Sequence, residues 1–163
     1  MKRSLTLVWN VLALGALVLV SCSVMAIREE QTFHVSVTIP TNEFYVLPVD
    51  PAFLEREQAL AWNTVTGELS PLRAFFDVKN ASGSVSARLV DDPFLFNGRE
   101  RIDLQVRFNG HLLSLLDTSV VDEQQARVGQ RVRLEIAAVK PAEGYIPGQY
   151  YGTAHLMFDA VNP

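Results

Sequence analysis

The sequence predicts an all-β sandwich, and three observations support this fold class. Short segments alternate between apolar and polar residues, as strands with one buried face do. Clusters of turn-forming residues separate these segments. No helix-length amphipathic pattern dominates: the best helical candidate, residues 52–62, is short and is equally compatible with a turn or an irregular crossing segment. A chain of 163 residues is consistent with a single folded domain.

Residues 1–26 have the layout of a secretory signal peptide rather than of a folded element. Lys2 and Arg3 are followed by a mostly apolar run over residues 5–20, and then by small residues at a cleavage position ending at Ala26. A membrane-spanning helix needs about 20 apolar residues, so an uncleaved anchor is the weaker interpretation. An alternative is a lipoprotein cleavage box that ends at Cys22, which would then carry a lipid.

The mature chain after cleavage is acidic and lacks cysteine. Removing 26 residues from 163 leaves 137, and removing two basic residues changes the formal charge from −4 to −6. The only cysteine of the sequence, Cys22, lies in the removed segment. Packing and hydrogen bonds must therefore stabilise the fold, and binding to nucleic acid is not expected.

The first mature segment alternates without interruption. Between Gln31 and Pro40 the apolar residues lie on one side of the expected strand and His34, Ser36 and Thr38 lie on the other. The apolar set is Phe33, Val35, Val37 and Ile39. Periodicity alone is compatible with the first strand of the chain's own sandwich or with a strand donated to another molecule.

Four further segments predict strands in the body of the sandwich. Residues 84–90 and 131–139 alternate, whereas residues 72–78 are apolar on both faces around Phe75 and Phe76, which predicts a strand buried on both sides. Residues 101–116 predict a hairpin, because alternating residues lead to Asn109-Gly110 and an apolar return.

The last strand is predicted to be continuous from about residue 150 to residue 160. One of its faces carries mostly apolar or small side chains, and Thr153, His155 and Asp159 lie on the other. The residues of the first face are Tyr150, Gly152, Ala154, Leu156, Phe158 and Ala160.

No motif in the sequence predicts catalysis, a cofactor or a metal. The histidines lack the spacing of a metal pair, and no nucleophile elbow or phosphate-binding glycine loop is present. Asp91-Asp92 precedes a proline and predicts a turn, as does the sequon that begins at Asn80. We therefore expect that the protein is not an enzyme. The three histidines are His34, His111 and His155.

Taken in order, the opening TFHVSVTIP, the central VSARLVDDPFL, the hairpin IDLQVRFNGHLLS and the closing PGQYYGTAHLMF resemble a bacterial fimbrial major subunit. The class is the alternate chaperone–usher pilins of the colonisation-factor-antigen and cable-pilus type. The resemblance extends over most of the mature chain, and the absence of a disulfide agrees with it.

The resemblance implies an incomplete immunoglobulin-like β-sandwich that a neighbour completes. Residues 27–40 would be the donor-strand extension, with Phe33, Val35, Val37 and Ile39 filling successive pockets, and residues 41–163 would be the pilin domain. The implied partners are copies of the chain itself, a periplasmic chaperone, an outer-membrane usher and a tip adhesin. The chain would pass through the periplasm to a fimbrium at the cell surface and support adhesion there.

The resemblance also implies a role for the last strand, as one wall of the acceptor groove and the docking strand of the chaperone. The residues implied are Tyr150, Gly152, Ala154, Leu156 and Phe158.

A competing hypothesis is a monomeric periplasmic or lipid-anchored β-sandwich that binds a small ligand or a carbohydrate. Trp62 together with Tyr145, Tyr150 and Tyr151 could stack on a sugar ring. Aromatic residues on sandwich strands are, however, more often part of the core.

Overall fold

The computed structural model describes residues 43–162, and β-strand is the main regular structure in this range. The all-β prediction is therefore confirmed. In chain order the strands are β1 (Phe44–Pro48), β2 (Trp62–Asn63), β3 (Glu68–Leu69), β4 (Leu72–Asn80), β5 (Ser84–Leu89), β6 (Phe94–Phe96), β7 (Arg101–Phe108), β8 (His111–Leu112), β9 (Thr118–Val121), β10 (Gln130–Ala138), β11 (Tyr151–Thr153) and β12 (Leu156–Val161). A 3₁₀ turn covers Pro51–Phe53, and a helix, α1, covers Glu123–Val128.

The strands form two antiparallel sheets and a small separate hairpin. The larger sheet has the order β1-β4-β10-β7-β6-β11, with β8 paired to β7. The smaller sheet has the order β12-β5-β9, and β2 pairs with β3. The core lies between the two sheets, because the buried side chains of β4, β7 and β10 meet those of β5 and β9 in one cluster.

Four aromatic rings contact one another in this core, two pairs edge to face and one pair tilted. Phe76 lies 6.0 Å from Phe53 and 5.7 Å from Phe108, measured between ring centroids, and Phe108 lies 4.8 Å from Phe158. The ring of Phe158 thus connects the last strand to the centre of the larger sheet. Small buried residues such as Ala87 allow the sheets to approach.

Strand β4 is buried on one face only, so the prediction of a strand buried on both faces is wrong. Phe76 is 6% exposed, whereas the neighbouring Phe75 is 52% exposed. The reason is the period of two: Phe76 points between the sheets, and Phe75 points outward, where residues 43–162 provide no covering layer.

The hairpin predicted at residues 101–116 is confirmed. Asn109 and Gly110 have φ angles of 50° and 82°, which is the left-handed pair of a tight two-residue turn. The side-chain amide of Asn109 also donates to the backbone carbonyl of Val120, 2.7 Å away. The paired return is short, ending at Leu112.

The helical interpretation of residues 52–62 is wrong, and the irregular alternative is correct. Only a 3₁₀ turn forms there, capped by Asp50, and Trp62 begins β2. The helix that does form, α1, was not predicted. Its signals are local: Asp122 accepts the backbone N–H of Gln125 at 2.9 Å, and Gly129 ends the helix at a φ of 90°.

The turn predicted at Asn80 is present, and it is anchored by the side chain of that residue. Asn80 is 2% exposed. Its amide nitrogen donates to the carbonyl of Ser84 at 2.7 Å, and its oxygen accepts the N–H of Ser82 at 3.1 Å. Both polar atoms of the Asn80 side chain thus bond to the backbone of the turn, as in an Asx turn.

Candidate functional site: the open edge of the last strand

Strand β12 lies at the edge of the smaller sheet. It pairs with β5 from Leu156 opposite Leu89 to Val161 opposite Ser84. Among residues 43–162, no strand pairs with its other edge. The last strand therefore offers a row of backbone groups to a further strand.

The direction of these backbone groups follows from one hydrogen bond. The N–H of Val90 donates to the carbonyl of His155 at 3.0 Å, which makes Leu89 and Leu156 a non-hydrogen-bonded pair of the antiparallel ladder. The N–H of Leu89 accordingly points away from β12, to the carbonyl of Ser114 at 2.7 Å. Successive residues alternate, so Leu156, Phe158 and Ala160 direct their N–H and C=O groups to the open edge.

Two of the residues that face the open edge, Leu156 and Phe158, also face the core. Leu156 and Phe158 are half-buried and pack against the core cluster, together with Ala154 just before the strand. Met157 and Asp159 point to the outer surface and bond to β5. The incomplete burial of Leu156 and Phe158 leaves apolar surface beside the unpaired backbone.

The far end of β12 is fixed by a close contact with a glycine. Gly83 is buried, and a Cβ atom there would overlap the carbonyl oxygen of Val161 and approach Cα of Asn162 to 3.0 Å. Only glycine allows this approach of two backbones. The turn after β4 thus positions the end of the last strand.

The prediction of one continuous last strand is wrong, because the chain changes sheets within it. Residues 151–153 form β11, which pairs with β6 in the larger sheet, and β12 begins only at Leu156. Gly152 fits closely against β6, since a Cβ would overlap the carbonyl oxygen of Phe94. Tyr150 precedes β11, and its hydroxyl donates to the carbonyl of Ile146 at 2.9 Å.

Of the five residues implied for the acceptor strand, three are therefore brought together at the core side of β12. These are Ala154, Leu156 and Phe158. Ala160 also lies on this edge. The four donor residues lie outside the described residues, so their role remains a prediction; they are Phe33, Val35, Val37 and Ile39.

The aromatic residues of the competing hypothesis lie at a different place. Trp62 contacts Tyr145 edge to face, with ring centroids 5.5 Å apart, and both line a cavity of about 340 Å³ with Tyr150. Burial, with a smaller contribution from Glu68, raises the pKa of Tyr145. Tyr151 does not line this cavity. The structure thus groups three of the four aromatic residues, in a mostly apolar setting.

Residues 43–162 contain no group of three metal-binding side chains. His155 contacts Asp91 at 3.1 Å, and both side chains are exposed. No helix within the same range is long and apolar enough to cross a membrane.

The architecture is that of an antiparallel two-sheet sandwich with an open edge strand, and comparison with known proteins identifies its family. The sequence model of the protein family described as CS1 type fimbrial major subunit matches residues 29–159. The chain belongs to this family. It also resembles a solved structure described as the CooA pilin subunit from enterotoxigenic Escherichia coli, with a TM-score of 0.61 and 20% identity. That match covers 72% of this chain and 86% of the other. No curated protein sequence matches the chain.

The family assignment confirms the resemblance seen in the sequence and defines the class of function. The chain is a structural subunit of a fimbrium at the cell surface, built by polymerisation with copies of itself. The family is one of structural subunits, not of enzymes. The pilin match also confirms the immunoglobulin-like sandwich.

Proposed function

We propose that the fimbrium is assembled by donor-strand complementation at the open edge of β12. Residues 27–40 of one copy would add a strand beside Leu156, Phe158 and Ala160 of the next copy. The observation that carries this proposal is the coincidence at β12 of unpaired backbone groups and half-buried apolar side chains. Either feature alone would be common; together they favour the addition of a strand with one apolar face.

The sequence of residues 27–40 supplies such a face. In an added strand, residues opposite the core-facing residues of β12 point to the core as well. Phe33, Val35, Val37 and Ile39 would then continue the core cluster beside Phe158, while the polar residues between them face solvent. A shift of one residue would reverse the two faces, so the register is strongly specified.

The same edge explains the partners that the family resemblance implies. Before assembly an unpaired edge strand promotes aggregation, so we propose that a periplasmic chaperone covers β12 first. The donor segment of another copy would replace the chaperone at an outer-membrane usher. Export would use residues 1–26 as a cleaved signal, and the finished fimbrium would support adhesion and could carry a tip adhesin.

Insertions into the donor segment test the register directly. Inserting one alanine between Val35 and Ser36 moves Val37 and Ile39 to the opposite face, and we expect fimbriae to be lost. Inserting two alanines restores the alternation and serves as the matched control. Assembly is scored by electron microscopy of cells and by the length of sheared fibres. Unchanged fibres after the one-residue insertion would contradict donation through this segment.

Mass spectrometry of the mature chain tests the export route. A free N-terminus at Ile27 supports cleavage after Ala26. A lipid on Cys22 would instead support the anchored, monomeric alternative.

A further inference from the structure

The outer face of the larger sheet carries an exposed phenylalanine among arginines. Phe75 on β4 lies directly opposite Arg133 on β10, whose guanidinium carbon is 6.0 Å from the ring centroid. Val49 lies beside Phe75, because its N–H donates to the Phe75 carbonyl at 2.8 Å. We call Leu47, Val49, Phe75, Arg107 and Arg133 the arginine–phenylalanine face; all five are exposed.

This face has an excess of positive charge. Its other charged residues neutralise one another across the strands: Arg131 contacts Asp77 at 2.8 Å, and Arg73 contacts Glu135 at 2.7 Å. Arg107 and Arg133 form no ion pair with any residue in the range 43–162, and together with Glu135 they border a cavity of about 360 Å³.

Single exposed apolar residues are common on protein surfaces, but Phe75 lies beside the exposed Val49, and such a contiguous apolar surface is typical of a contact site. Aromatic residues and arginine are the types enriched at protein–protein contacts, where they form the central, most important part of the interface. The neighbouring pair of Phe75 and Arg133 lies at the centre of this face, with apolar Val49 and Leu47 on one side. These features indicate a docking surface for an apolar, acidic partner.

Two loops of the same chain have the complementary composition. The N–H of Leu89 donates to the carbonyl of Ser114 at 2.7 Å, so the segments 90–92 and 115–117 both begin at one hydrogen-bonded pair of residues at the end of β5. Leu116 is 77% exposed, the highest value among the apolar residues of these segments. The leucine–aspartate loops are defined as Val90, Asp91, Asp92, Leu115, Leu116 and Asp117.

The leucine–aspartate loops are acidic. Of their three carboxylates, only that of Asp117 contacts a guanidinium, the Arg88 side chain at 3.4 Å. Asp91 contacts His155, and Asp92 forms no ion pair with the part of the chain from 43 to 162. Charge and apolar surface therefore occur together here, with the sign opposite to that of the arginine–phenylalanine face.

We propose that the leucine–aspartate loops of one copy dock on the arginine–phenylalanine face of another copy in the fimbrium. The inference rests on the proposed function in that it takes the polymer for granted, but it uses neither β12 nor residues 27–40. The two surfaces differ, so the contact is heterologous and repeats along a filament. The two surfaces lie on different sheets of the sandwich. The arginine–phenylalanine face lies on β4 and β10 of the larger sheet, and the leucine–aspartate loops lie beside β5 and β9 of the smaller sheet, so one subunit can use both surfaces at once.

Cysteine cross-linking in isolated fimbriae tests this contact, because Cys22 is the only cysteine in the sequence. Fimbriae made of the double variant Phe75→Cys/Leu116→Cys are oxidised, boiled in detergent and separated without reductant. We expect a ladder of disulfide-linked subunits. The single variants are the matched controls and should give none, since each surface meets the other and not itself. A second pair, Val49→Cys/Leu115→Cys, is made in parallel in case the first does not fold.

Charge reversal gives an independent readout of the same contact. Adding Arg133→Glu to the double cysteine variant should lower the yield of the ladder about tenfold. Adding Asp92→Arg as well should restore it, which simple destabilisation of the subunit would not do.

The outcomes separate this inference from the proposed function. Fibres that form but give no ladder with either cysteine pair overturn the docking contact and leave donor-strand assembly intact. Ladders from the single variants show a contact between identical surfaces and also overturn it. Fibres unaffected by the one-residue insertion after Val35 overturn the donor-strand proposal, while the ladder still decides the docking contact.

Discussion

Truncation of Phe158 tests the idea that the open edge of β12 is an unfinished part of the core. The Phe158 ring lies 4.8 Å from that of the buried Phe108, centroid to centroid, yet it is only half-buried. Replacing a fully buried phenylalanine by alanine costs about 3–5 kcal/mol. Because Phe158 packs against the core cluster but is not fully buried, Phe158→Ala should lower the free energy of unfolding by about 2–4 kcal/mol. The measurement is urea denaturation of residues 41–163.

A peptide of residues 27–40 tests whether a strand added at the β12 edge buries the rest of the Phe158 side chain. When the peptide covers the edge, Phe158 becomes fully buried, so the variant should also gain less stability from a given excess of peptide. Met157→Ala is the matched control, because this neighbouring side chain points outward and is exposed. We expect it to change the free energy of unfolding by at most about 0.5 kcal/mol. Equal peptide stabilisation of the wild type and Phe158→Ala would refute binding at this edge.

Three further substitutions test the elements that position the site. Gly83→Ala should destabilise the fold by about 1–3 kcal/mol, because the added Cβ displaces the Val161 backbone. Hydrogen exchange of the variant should be fastest at the end of β12, and protected amides there would contradict this. Asn80→Ala leaves buried backbone groups of the turn without a partner and should cost about 1–3 kcal/mol by thermal denaturation, whereas an exposed asparagine would show almost no loss. The hydrogen bond from Arg131 lowers the pKa of Asp77 from its ordinary value of 3.8. The contribution of this carboxylate to the stability of the fold is therefore complete above pH 3.8 and is lost as the pH falls through the folded pKa. Asp77→Asn should flatten the acid limb of a plot of unfolding free energy against pH, and an unchanged plot would refute this.

The elements that could be predicted are those whose signals are local. Asn109-Gly110 alone determines the tight turn, because few other pairs tolerate two positive φ angles. The same local chemistry was available at α1, where Asp122 and Gly129 are good caps, but six residues are too few for a recognisable helical period.

The features that could not be predicted depend on which strands become neighbours. The exposure of Phe75 depends on the absence of a third layer over β4 within residues 43–162, which alternation does not reveal. The change of sheet between β11 and β12 is equally hidden, since the period of two continues through Ala154 and His155. For the same reason the sequence places Gly152 and Phe158 on one face, although the structure separates them into different sheets.

The character of β12 as an edge strand among residues 43–162 supports the proposal that a further strand covers it. Edge strands that stay exposed are usually short or protected by charge or proline. In the described part of the chain, β9 and β11 at the other sheet edges have four and three residues, and β1 ends at Pro48. Strand β12 has six residues, and the three that face the open edge, Leu156, Phe158 and Ala160, carry neither charge nor proline. A protein selected to remain a monomer would protect such an edge. A subunit that accepts a strand cannot protect it in this way, because a charged residue or a proline on the edge would also prevent the added strand from pairing.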